Sequence, residues 1–169
     1  MNIERIELES SGPELFKSRA SVIQLPGGIT QADIAVHPNF KEDGDVKWVN
    51  SQGQLDNVIG NLYQLLSMMD ADQSNIVAET WFADNSKLPY ATILGDRHPI
   101  YGKGNKPTVS IPGQRPANPQ EKVCLEARVI TNAPIISTPG DGFTTTTVNM
   151  GDYTLVYMNG IMLMAGNLA

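Results

Sequence analysis

Between Ser51 and Met69, seven apolar residues (Leu55, Val58, Ile59, Leu62, Leu65, Leu66 and Met69) recur at spacings of three and four. That pattern lays one apolar stripe along a helix and requires a second layer to cover it. The segments around it supply that layer. Arg19 to Leu25 (RASVIQL) and Ile29 to Val36 (ITQADIAV) are two apolar runs around Pro26-Gly27-Gly28, which reads as a β-hairpin. Ile76 to Phe82 (IVAETWF) alternates and reads as a strand. Lys87 to His98 reads as a shorter helix stopped by Pro99. Lys106 to Ile111 and Glu121 to Thr131 (EKVCLEARVIT) close the set as strands. In the latter, Val123, Leu125, Ala127 and Val129 share one face and Lys122, Cys124, Glu126 and Arg128 the other. Ser51 with Gln54 fits a capping box at the start of the long helix, with Gly53 as a weak point.

The order β-β-α-β-α-β-β over residues 19–132 predicts an α+β two-layer sandwich, with two helices on one face of a mixed sheet. Residues 1–18 are polar and read as an irregular arm, so the core domain is assigned to 1–132. Two prolines and a Pro-Gly-Asp run in 133–142 mark a boundary. Residues 133–169 then read as a β-meander extension: FTTTTVNM, YTLVYM, Asn159-Gly160 as a hairpin turn, and IMLMA. So apolar a last strand is expected to be covered by its own sheet or by another subunit.

Composition narrows the function. The chain has 169 residues, 41 % of them hydrophobic, enough for a sizeable core. The formal net charge is −6, and the 12 Lys and Arg form no run, so a nucleic-acid partner is not expected. No apolar stretch reaches the roughly 18 residues of a membrane span, and the opening MNIERIELES lacks the apolar segment of a secretory leader. One cysteine, Cys124, cannot form an internal disulfide, which fits a cytoplasmic protein. His37 and His98 are far apart without a Cys-x-x-Cys, so no metal site is expected. His37, beside Pro38, reads as a turn residue. Arg97 and His98 suit a helix C-terminus. Cys124 reads as a small buried residue, with no base in its sequence neighbourhood to activate it.

The element order, with the helix QLDNVIGNLYQLLSMMDADQSNIV, the strand ETWFAD and the pair KPTVSI and KVCLEARVI, resembles the RidA (YjgF) family of chorismate-mutase-like fold. The likeness is best over residues 51–132 and covers the first 50 only in outline. GDYTLVYMNG in the tail also looks like the family's opening hairpin, which leaves a swapped or permuted arrangement open. The resemblance implies a homotrimer with sites between subunits, a small anionic metabolite as ligand, no cofactor, and hydrolysis of reactive imines or enamines. It implies that Glu126, in CLEA, positions or activates water. The family's carboxylate-gripping arginine falls on Lys106 of KPTV, a departure, because lysine is a point charge and arginine a two-pronged donor. Thr108 near it and Phe143, matched to the family's tyrosine, join the implied substrate-binding set. Arg128, which shares the face of Glu126 about 6–7 Å along the strand, is read from the strand alternation as a cation that makes up for the lysine. The family's asparagine falls near Thr92 or Asp96. Read without the resemblance, Glu126 is a surface carboxylate paired with Arg128 or Lys122, and Lys106 is a loop lysine. A module of the same fold that binds a small metabolite without turning it over is the alternative function. A third reading has the apolar tail dock on another chain.

Overall fold

The computed structural model describes residues 3–9, 14–89, 92–93, 95, 100–101, 106–140 and 143–159, with only the backbone described at Glu14, Phe143 and Asn159. Nine strands and one long helix are defined among them: β1 (Ile3–Glu7), β2 (Arg19–Gln24), β3 (Thr30–Val36), α1 (Ser51–Met68), β4 (Ile76–Ala83), β5 (Thr108–Ser110), β6 (Val123–Thr131), β7 (Ile135–Gly140), β8 (Phe143–Asn149) and β9 (Thr154–Asn159). The first six strands form one mixed sheet in the order β1-β2-β3-β6-β4-β5, and the last three form a separate antiparallel sheet. In the large sheet only β4 and β5 run parallel. No helix among the described residues is long and apolar enough to cross a membrane.

The apolar stripe of α1 lies on the large sheet. Leu55, Val58, Leu62, Leu65 and Leu66 are buried against Ala20, Val22, Ile34, Val36, Trp81 and the Val123, Leu125, Ala127, Val129 face of β6. Glu79 is buried on this side too, accepting hydrogen bonds from Trp81 Nε1 (3.3 Å) and from the Tyr101 hydroxyl. A register shift in β4 between Ile76 and Ala78 sends Val77 to the other face. There Val77, Ile29 and Ile130 meet Val148 and Met150, with Leu155 and Tyr157 packed alongside. The small sheet therefore covers one end of the helix-free face and builds a second core there.

Three expectations change. Residues 3–7 are a strand paired with β2, where an irregular arm is expected. Residues 135–140 are a strand, where a boundary loop is expected; Pro139 is tolerated because β7 is an edge strand. The cap of α1 is Asn50, whose side chain accepts from Gly53 N, and Gln54 takes no part in a capping box. Instead Gln54 points inward. Its amide donates to the carbonyls of Trp48 and Gln120, and its oxygen accepts from Lys122 N at 2.7 Å. That ties the start of the helix to the approach to β6. The second helix expected over 87–98 and the strand expected from IMLMA lie largely or wholly outside the described residues.

Gly53 has a specific reason to be glycine. A Cβ there would stand 2.7 Å from Trp48 Cδ1 and 3.0 Å from the capping oxygen of Asn50. Helix propensity alone favours Gly53→Ala by about 0.8–1 kcal/mol. Loss of the cap costs about 1 kcal/mol and displacing the indole adds to it. The variant is expected to unfold at lower urea concentration than the wild type; a higher midpoint would show that the cap and Trp48 relax freely.

Candidate functional site

On the helix-free face of the large sheet, cross-strand registers place side chains in two rows. Arg19 pairs with Ala35, Ala35 with Glu126 and Glu126 with Thr80. One step along, Ser21 pairs with Asp33, Asp33 with Arg128 and Arg128 with Ala78. In the first row small residues (Ala35, Thr80) alternate with charged ones, and in the second Ser21 and Ala78 flank the adjacent Asp33 and Arg128. The result is a depression of about 450 Å³, floored by the small side chains and rimmed by Arg19, Asp33, Glu126 and Arg128. Tyr157 of β9 leans in from the small sheet and completes the wall.

Two guanidinium groups and two carboxylates rim the depression. Arg128 Nε donates to Asp33 Oδ1 at 2.6 Å, and both side chains remain substantially exposed. The Asp33 hydrogen bond, then its charge and Tyr157, raise the affinity of the guanidinium for its proton above the ordinary arginine value. Asp33 engages Nε, the inner edge of a guanidinium that carries five N–H donors in all. Arg19 stands two strands from Glu126 across Ala35, about 10 Å at the backbone. Glu126 itself is exposed between Ala35 and Thr80.

The expected residues separate into those that meet here and those that do not. Glu126 and Arg128 do. Lys106 and Thr108 do not line the depression: Lys106 is half-buried ahead of β5, and the Thr108 hydroxyl donates to the Val77 carbonyl at 3.1 Å. Thr108 does pair with Ala78 of the floor, so this segment borders the site. The side chain of Phe143, and Asp96, lie outside the described residues. Sequence reasoning missed Arg19, Asp33 and Tyr157. The alternation of RASVIQL and ITQADIAV puts Arg19 and Asp33 on the non-core faces of a hairpin, which was a usable signal. Nothing local places Tyr157 over β6.

A second cluster lies just beyond the Val36–Leu125 end of the β3–β6 pairing, next to the Ala35–Glu126 row. His37 is expected as a turn residue, yet its Nδ1 lies 3.2 Å from both carboxylate oxygens of Glu121. Ser18 and Asn61 hold the His37 backbone: Ser18 Oγ accepts from its N–H at 2.9 Å, and Asn61 Nδ2 donates to its carbonyl at 2.8 Å. Cys124 is buried as expected, and its thiol is pushed up to about 12 by burial and by the charges of Glu121 and Glu126. This thiol is the reverse of an activated nucleophile.

No family model and no curated protein matches the chain. Solved structures do match. The Rid-family protein YyfA from Yersinia pestis, of unknown function, is 16 % identical with a TM-score of 0.53, over 75 % of this chain and 98 % of that one. A YjgF-family protein from Neisseria meningitidis is 12 % identical with a TM-score of 0.53, over 75 % and 94 %. A Thermotoga maritima protein described as a candidate endoribonuclease is 15 % identical with a TM-score of 0.56, over 76 % and 98 %. Each neighbour is matched almost whole, while about a quarter of this chain has no counterpart in it. The fold of this chain is therefore that of the Rid (YjgF) proteins, as the resemblance over residues 51–132 implies.

Proposed function

We propose that the depression binds a small anionic imine or enamine and hydrolyses it, with Glu126 as the proton-transferring group. The carrying observation is the pair of adjacent rows: the Glu126 carboxylate on a floor of small residues between two guanidinium groups, Arg19 and Arg128, the latter paired with Asp33. A substrate carboxylate on the Arg128 fork would hold the imine carbon toward Glu126, about 6–7 Å along the strand. Glu126 accepts a proton from water as the water oxygen bonds to the imine carbon. The C=N π pair moves to nitrogen, and Glu126 delivers its proton there, giving a carbinolamine. Glu126 then takes the carbinolamine's hydroxyl proton and passes it to the amino nitrogen; the C–N bond breaks, the C=O bond forms, and ammonia leaves with a carbonyl compound remaining. Arg128, on the chain's own β6, takes the anchoring role that arginine in place of Lys106 would otherwise fill. On this reading the protein is a cytoplasmic homotrimer, with residues 1–132 as the catalytic core and 133–169 as an added layer that walls the site.

Two observations favour the alternative, a metabolite-binding module without turnover. Lys106 replaces the arginine of the family pattern, and Arg128 is already engaged by Asp33. Turnover by the wild type separates the two readings, and Arg128→Gln tests the anchoring role of Arg128. Hydrolysis through an Arg128-bound carboxylate predicts KM rising about 10- to 100-fold, the loss of one charged hydrogen-bonding contact of about 1.5–3 kcal/mol. The far-ultraviolet circular dichroism spectrum should be unchanged. Unchanged KM with measurable turnover would remove Arg128 from the site.

A further inference from the structure

We propose that His37, Glu121 and Cys124 form a binding site for a single divalent transition-metal ion of the zinc type. An imidazole, a carboxylate and a thiol are the donor types that zinc takes, and three protein ligands leave one position for water. The donor atoms all lie within 4.8 Å of one another. The His37 Nδ1 to Glu121 distances, 3.2 Å, lie just under the edge of a zinc tetrahedron, roughly 3.3–3.8 Å for bonds of about 2.0–2.3 Å. The edges to the Cys124 sulfur, at most 4.8 Å long, are the ones that have to close.

The surroundings fit a resident cation. The Glu121 side chain is 1 % exposed, and among the described residues its carboxylate is hydrogen-bonded by His37 alone. A buried carboxylate with one ring nitrogen for company is under-compensated. Cys124 is 8 % exposed, and its sulfur has no hydrogen bond among the described residues. Glu126 adds a further negative charge from the same strand face. A divalent ion would neutralise the carboxylate, displace the thiol proton and give the sulfur its missing partner. The His37 ring is packed edge-on against Phe16 at 5.8 Å, and its backbone is held by Ser18 and Asn61, so its nitrogen is aimed before any ion arrives. A bound ion would pin the end of β3 to the start of β6, next to the depression. This inference does not depend on the imine reading.

Cys124 is the chain's only cysteine, so a thiolate signal reports on this site without any substitution. The full-length protein is stripped with chelator and titrated with Co²⁺ while absorption is recorded. One equivalent should produce a near-ultraviolet thiolate-to-cobalt charge-transfer band, and one equivalent of Zn²⁺ should abolish it. His37→Ala should weaken cobalt binding at least tenfold, and zinc should raise the melting temperature of the wild type more than that of Cys124→Ser. Saturation of the wild type without a charge-transfer band would overturn the proposal, as would the same melting shift in both proteins.

Discussion

Glu126→Gln should remove about two to four orders of magnitude of imine-hydrolysing activity, the usual range for losing a positioned proton-transfer group. Stability should stay within about 0.5 kcal/mol of the wild type, because the side chain is exposed and glutamine fills the same space. The loss should fall on kcat rather than KM, since Glu126 acts on water and nitrogen while Arg128 holds the anion. Full activity in the variant, with normal folding, would exclude Glu126 from the chemistry. Initial rates of decay over a range of concentrations of an enzymatically generated imine measure both parameters.

Ending the chain after Asn132 should be the most damaging structural change. The second core would lose Val148 and Met150, uncovering Ile29, Val77 and Ile130 on the helix-free face. Re-exposing each such side chain costs about 1.5–3 kcal/mol. Three of them approach the whole stability of an ordinary domain, about 5–15 kcal/mol. Arg128 would also lose Tyr157 from its flank. The truncated chain is expected to precipitate or to melt far below the full-length protein, followed by thermal denaturation of both. A truncated protein that is stable and active would make residues 133–169 an accessory. The outer face of the same small sheet exposes Ile136, Val156 and Met158, the surface on which a docking partner would be sought.

Local pattern explains what was readable in the sequence. The three-and-four spacing of α1, the Gly-Gly hairpin and the two faces of β6 each depend on neighbours within a few residues, and all three are present. The polar strand β1 was hidden because IERIE has only two isoleucines to bury and lies at a sheet edge. β7 was hidden by Pro139, which punctuates sequence yet is tolerated at an edge. The depression was half legible. Glu126 and Arg128 share a face by simple alternation, but Arg19 and Asp33 join them only through the β2-β3-β6 register, and Tyr157 only through packing of one sheet on another. The pairing of His37 with Glu121 spans 84 residues and follows from strand register, which no spacing rule reports.

The most direct measurement follows the decay of imines generated by an oxidase from several small amino acids, with and without the wild-type protein. The account predicts saturable acceleration for imines bearing a carboxylate and none for the same imines with that carboxylate amidated, because Arg128 would have no anion to hold. Saturable binding of the carboxylate compounds without faster decay would contradict hydrolysis and leave a binding module; equal acceleration of charged and amidated imines would contradict the anion site itself.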